Sequence, residues 1–330
     1  MKPRVFFPVS HEAREQYWPS AVVESLHEIS EVIDPDSWND PWDSCNEVDA
    51  MVVGWGTPRL PVEVWRRLDS LRMISIFGGS ASYIEEPIEV LQRRIILANA
   101  SPEMGEAVAE ETLALILAGL YDLVASSAEY RANGELSYAG GQTNRSLTGA
   151  TVGMIGYGYI GKKVSELLRP FNVQLLIFDP YVRAELIEKA GGQAVSLEEL
   201  LRQSNVITLH AGWTKETEGM LGAQQLDLLE HGTLVVSTAR MPIFNQHALA
   251  QRVLSGRLRF ASNFIPYDQT VWATPEMRAS PHLIAVHGHT SVTDRSVYRM
   301  AQRVVRNIEQ VFADEEPDNR ITEEWILRTT

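Results

Sequence analysis

Three glycines, one acid, one arginine and a pair of histidines are the residues here whose type and spacing suit chemistry. Gly156, Gly158 and Gly161 read Gly-Tyr-Gly-Tyr-Ile-Gly directly after the apolar run from Thr151 to Ile155 and directly before a helix-like run, Lys162 to Phe171. In that context the first glycine permits a tight turn and the second lets the backbone approach a diphosphate. The third lets the helix pack on the strand, and the helix N-terminus then faces the negative charge. Eighteen residues beyond Gly161, after the run from Gln174 to Phe178, stands Asp179. A carboxylate there accepts hydrogen bonds from the ribose hydroxyls of NAD and repels the extra phosphate of NADP. A glycine-rich turn alone is weak evidence, and Asp179 could simply cap a turn before Pro180. Strand, glycines, helix and acid together point to a dinucleotide, with Gly156, Tyr159, Ile160 and Asp179 as expected contacts.

Short apolar runs alternate with longer amphipathic stretches, which is the mark of βαβ units and parallel sheets. In the first part these runs are Val5 to Val9, Asp49 to Trp55, Leu71 to Gly79 and Arg93 to Ala100, with a helix expected over Ala13 to Ile29. A long helix is expected from Ser101 to Ala125, Ser101 serving as N-cap, followed by a loop from Arg131 to Ser146 that is rich in Gly, Asn and Ser. Six further strand-like runs begin at Ala150, Val173, Ser204, Gly232, Leu258 and His282, enough for a full dinucleotide-binding sheet. Arg240 follows the fourth of these, at the carboxyl end of a strand, where open α/β sheets bind ligands. Apolar residues from Val297 to Val311 recur at helical spacing and predict an amphipathic helix over Asp294 to Phe312.

Composition narrows the classes. The 330 residues carry 43 acidic and 29 basic side chains, a net charge of −14, which argues against a general nucleic-acid binder. The single cysteine, Cys45, excludes an intrachain disulfide and a cysteine metal cluster, and a reducing compartment fits best. The N-terminus reads as a strand rather than a signal peptide, and no apolar window reaches membrane-spanning length. A soluble, cytoplasmic protein is expected. His287 and His289 form a pair with alternate spacing, yet no third metal ligand is visible, so no metal is expected.

The segments Leu147 to Gly153, Phe178-Asp179-Pro180, Thr208 to Ala211, Ser237 to Arg240 and Ser255-Gly256-Arg257 resemble the D-2-hydroxyacid dehydrogenase family in order and spacing. Ile76 to Gly79, Asn99-Ala100 and Ala107 to Glu110 are similar to its substrate-loop and interdomain-helix segments. The resemblance implies an NAD-dependent oxidoreductase that exchanges a hydride between a D-2-hydroxy acid and a 2-oxo acid. It also implies two Rossmann-like or flavodoxin-like parallel-sheet α/β domains, the nucleotide domain (101–290) inserted into a substrate domain (1–100, completed by 291–330). The reaction is then expected in the interdomain cleft, in a homodimer without an appended regulatory domain. Arg240 matches the family's catalytic arginine, which binds and polarises the substrate. His289 is preferred over His287 as the acid/base, and Asp268 falls where that histidine's acidic partner is usual. His210 and Ala239 match positions near the cofactor, and Gly78, Gly79 and Ser80 form the loop whose amides would meet the substrate carboxylate.

Several residues depart from the family pattern: Gly212 for a proline, Met241 for a glycine, Asn263 for an aspartate, and His-Gly-His for Thr-Pro-His. Met241 beside Arg240 is expected to narrow or reshape the pocket. These departures keep a second reading open, a catalytically weak or inactive NAD(H)-binding sensor or interaction protein on the same fold.

Overall fold

Buried runs of Val, Ile, Leu and Phe form the strands. The computed structural model describes residues 2–134, 144–265, 271–288 and 291–329, and the chain forms two units, Met1–Gly105 with Val292–Thr330, and Glu106–Ser291. In the first unit, β1 (Arg4–Phe6), β2 (Glu31–Ile33), β3 (Ala50–Gly54), β4 (Met73–Phe77) and β5 (Ile96–Asn99) pair in parallel in the order β2-β1-β3-β4-β5. All five residues of β3 and of β4 are buried, as expected for strands covered on both faces. The helix Asp294–Phe312 returns the chain to this unit, capped by Thr293 and Ser296 acting reciprocally. Its stripe of Val297, Met300, Ala301, Val304, Ile308 and Val311 is buried in one core with Phe7, Leu26 and Phe77. A second core around Trp65, Ile74 and Ile76 covers other side chains of the same sheet.

The second unit holds β6 (Thr151–Ile155), β7 (Gln174–Phe178), β8 (Gln193–Ala194), β9 (Val206–Leu209), β10 (Thr233–Ser237), β11 (Leu258–Ser262) and β12 (Leu283–Ala285). They form one parallel sheet in the order β12-β11-β10-β9-β6-β7-β8. The order reverses between β6 and β9, which makes their carboxyl ends the topological switch point where such sheets bind ligands.

Four local expectations need correction. The segment from Ala13 to Ile29 is two helices, His11–Tyr17 and Ser20–Ile29. Pro19 lacks an N–H and forces Trp18 into extended backbone, so one helix cannot pass through. The long helix ends at Leu120, and a second runs Leu123–Asn133 into the expected loop, separated by Asp122 at φ +52°. Ser101 is the first helical residue rather than the cap, and its amide donates to Asn99 Oδ1 at 3.3 Å. Finally, β2 and β8 are additional strands, of three and two residues, too short to show an apolar period.

Candidate active site

The glycine loop connects β6 to the helix Tyr159–Leu168. Gly156 has φ +91°, and a Cβ there would lie 2.6 Å from the Ala211 amide nitrogen, so only glycine lets the loop close on the end of β9. A Cβ on Gly161 would lie 2.4 Å from the Gly156 carbonyl oxygen, which shows how closely the helix is packed onto the turn. A Cβ on Gly158 would meet nothing within 4 Å. Gly158 also caps the helix without a side-chain hydrogen bond, and amides of a first helical turn have no intrahelical acceptor. A tight first glycine, an open second one and a helix N-terminus fit a diphosphate.

Asp179 follows β7 directly and is half-buried. Its Oδ2 accepts the Tyr157 amide at 2.7 Å and its Oδ1 accepts the Tyr181 amide at 2.9 Å. Asp179 therefore caps its own turn and also fixes the glycine loop. Each carboxylate oxygen keeps acceptor capacity, so both roles are compatible with ribose binding.

His210 closes β9. Its Nε2 is 2.8 Å from Thr208 Oγ1, while its buried Nδ1 has no partner among the described residues. Burial pushes its pKa down to about 3, so the ring is neutral and is not a proton donor for the reaction.

Arg240 follows β10 through Thr238 and Ala239, whose amide is held by Ser237 Oγ at 3.3 Å. The guanidinium is exposed, lies 5.3 Å from the centre of the Phe264 ring, and has no carboxylate partner among the described residues. A cation held on an aromatic face but left without a counter-ion is suited to an incoming anion. Met241 corrects the expectation of a narrowed pocket. Its side chain is 2% exposed and packs with Ile243, Phe244 and Leu249 in the core, because the short 3₁₀ turn Met241–Ile243 points it inward.

The segment that carries the histidine candidates begins at the aromatic partner of Arg240. A Cβ on Gly288 would lie 3.3 Å from the Asn263 carbonyl oxygen and 3.4 Å from the Phe264 ring. His287 is exposed; His289 and Asp268 lie outside the described residues. In the other unit, Gly78 has φ +131° at the carboxyl end of β4. The amides of Gly79 and Ser80 make no hydrogen bond among the described residues, while Ser80 Oγ accepts the Ser82 amide at 3.1 Å. Among the described residues no group of three His, Cys, Asp or Glu side chains could hold a metal ion, and no helix is long and apolar enough to cross a membrane.

Sequence reasoning missed two pairs. Asn263 Nδ2 donates to Glu111 Oε2 at 2.8 Å, with both side chains buried at the carboxyl end of β11. The signal was present: Glu111 shares a helical face with Val108, Thr112 and Leu115, all buried. Tyr181 donates to Glu216, which joins the segment after β7 to the segment after β9. No local pattern pairs residues 35 positions apart.

A family model described as D-isomer specific 2-hydroxyacid dehydrogenase, NAD binding domain, matches residues 113–283, more than half of the 330. The chain belongs to the D-isomer-specific 2-hydroxyacid dehydrogenase family. As a member it is an oxidoreductase with a nicotinamide cofactor, and the glycine loop lies within the matched NAD-binding domain. The glyoxylate reductase of Korarchaeum cryptofilum is 27% identical over 343 residues, covering 99% of this chain and 98% of that protein. The holo structure of Rhodotorula graminis D-mandelate dehydrogenase superposes with a TM-score of 0.84 at 18% identity, covering 98% of each chain. An acyclic imino acid reductase in complex with NADPH and D-Arg gives 0.80 at 20% identity over 97% of this chain and 100% of that one. These structures share the dehydrogenase fold with this chain.

Proposed function

We propose that this dehydrogenase interconverts a small D-2-hydroxy acid and the corresponding 2-oxo acid, with NAD as its cofactor, as a cytoplasmic homodimer. The observation that carries the reading is Arg240, an exposed guanidinium with no carboxylate partner among the described residues, at the carboxyl edge of a sheet whose glycine loop fits a diphosphate. Full-length similarity to a glyoxylate reductase supports a small 2-oxo acid, and Asp179 supports NAD over NADP through its charge.

The substrate carries a carboxylate beside a carbonyl. Arg240 binds the carboxylate and polarises the carbonyl, and the loop Gly78-Gly79-Ser80, in which the Gly79 and Ser80 amides make no hydrogen bond among the described residues, is a substrate-binding candidate. When bound, the nicotinamide supplies the hydride for reduction and accepts it for oxidation. His289 gives its proton to the carbonyl oxygen as the 2-oxo acid is reduced and takes it back in the reverse direction, with Asp268 orienting the ring. His287 is the alternative for that role. Gly156, Tyr159 and Ile160 hold the diphosphate; His210 and Ala239 line the cofactor side.

The test is oxidation of NADH at 340 nm against glyoxylate, hydroxypyruvate, pyruvate and phenylpyruvate, with NADPH run in parallel. Turnover of at least one acid, faster with NADH, is the expected result. Tight NADH binding with no turnover of any acid would favour a dinucleotide-binding protein without catalysis.

A further inference from the structure

We infer that Tyr181 and Glu216 form a clasp across the adenosine end of the dinucleotide crevice, and that the clasp selects the unphosphorylated ribose. The inference deepens the proposed NAD preference and rests on it. In the order β9-β6-β7, the ends of β7 and β9 lie on opposite sides of β6, the strand that feeds the glycine loop. Tyr181 stands three residues beyond β7, and Glu216 lies in the segment after β9. A bond between their side chains must therefore pass across the carboxyl end of β6, at the switch point.

Both ends of the clasp are anchored to the site. The Tyr181 amide is held by Asp179 Oδ1, and Asp179 Oδ2 holds the Tyr157 amide of the glycine loop. On the other side, Thr217 Oγ1 donates to the Gly212 carbonyl at 2.7 Å and accepts the Thr214 amide at 2.8 Å. The Glu216 amide is 3.3 Å from Thr214 Oγ1. The glycine loop itself packs on Ala211, where that segment begins. Glycine loop, Asp179, Tyr181 and Glu216 thus make one continuous belt.

The chemistry of the belt is acidic and aromatic. A ribose bonded to Asp179 would lie beside Tyr181, whose amide Asp179 holds and whose phenol donates to Glu216. A 2′-phosphate there would meet the Asp179 and Glu216 carboxylates, and the Tyr181 amide is already committed to Asp179. Arg183 and Lys215 neighbour the clasp in sequence and are exposed. Both clasp residues are exposed, Tyr181 at 56%. The folded state therefore gains little from their bond, and the variants are expected to fold.

The experiment is fluorescence titration of the full-length protein with NADH and with NADPH at fixed ionic strength, for wild type, Tyr181→Phe, Glu216→Ala and the double variant. Wild type is expected to favour NADH. Each single variant should raise the NADPH-to-NADH affinity ratio about fivefold, and the double variant no further, because the two side chains act through one bond. Unchanged ratios in both single variants, with wild type still favouring NADH, would overturn the clasp alone. A wild-type preference for NADPH would overturn the clasp and the NAD assignment together.

Discussion

His210 and Asn263 show how neighbours, rather than residue type, set the chemistry of this site. His210 is held neutral by burial, with its pKa down at about 3 against 6.5 in an exposed ring. Unfolding frees the ring to bind a proton, so between those two values the unfolded state holds more protons and stability falls as the pH is lowered. Above 6.5 the effect vanishes. The loss is at most about 1.4 kcal/mol per pH unit, so His210→Asn should melt with a flatter pH dependence than wild type between pH values of roughly 6 and 4. Parallel melting curves would refute the assignment. At Asn263, an aspartate would set a second carboxyl against Glu111 in a buried place, and one of the two would have to retain a proton. Asn263→Asp should therefore lose more melting temperature relative to wild type at alkaline pH than at mildly acid pH; an equal loss at both would show that charge is not the cause. At this scale Arg240 was legible because its position after a strand is a local fact. Met241 was misjudged because its role depends on the direction it faces in the fold, which neighbouring sequence does not state, whereas Glu111 was missed although it shares its helical face with Val108, Thr112 and Leu115.

At the scale of elements, the glycine loop separates folding from binding. Gly158 has ordinary backbone, φ −73°, and open space where a Cβ would stand. Gly158→Ala should thus keep or slightly raise the melting temperature, gaining up to about 1 kcal/mol from reduced chain freedom. It should weaken NADH binding at least about tenfold, since the methyl group occupies the diphosphate's place. Gly161→Ala should do the opposite in order of severity, unfolding first, because its Cβ collides with the Gly156 carbonyl. Calorimetry with NADH titration distinguishes them, and equal destabilisation by both would contradict this geometry. The long strands and the helix Asp294–Phe312 were readable from periodicity. What was not readable were elements without a period of their own: β2 and β8 at the sheet edges are recruited by pairing with longer neighbours. The break at Pro19 was a local signal, overridden in the reading by the apolar pattern on either side.

The whole molecule is two units with separate cores, and the first is completed by residues that follow the second in sequence. Ile308 belongs to the first unit's core and is fully buried. Ile308→Ala should cost about 2–5 kcal/mol of stability while leaving NADH affinity unchanged, because the glycine loop and Asp179 lie in the other unit. A parallel fall in NADH affinity would show that the cofactor site depends on that core. The family's nucleotide unit was the most legible part of the chain, since its glycines, acid and strands follow one another in sequence. The candidate reacting groups were less so, because Arg240, the histidines and Gly78 to Ser80 come from segments far apart in sequence.

In the proposed reaction Arg240 works on the substrate and not on the cofactor. The measurement that tests it most directly is turnover at 340 nm with the best 2-oxo acid for wild type and Arg240→Ala, each with its NADH affinity recorded separately. A loss of turnover of at least about a hundredfold, with NADH affinity within about twofold of wild type, is the predicted result. Retained turnover, or a loss explained by weaker NADH binding, would contradict the account.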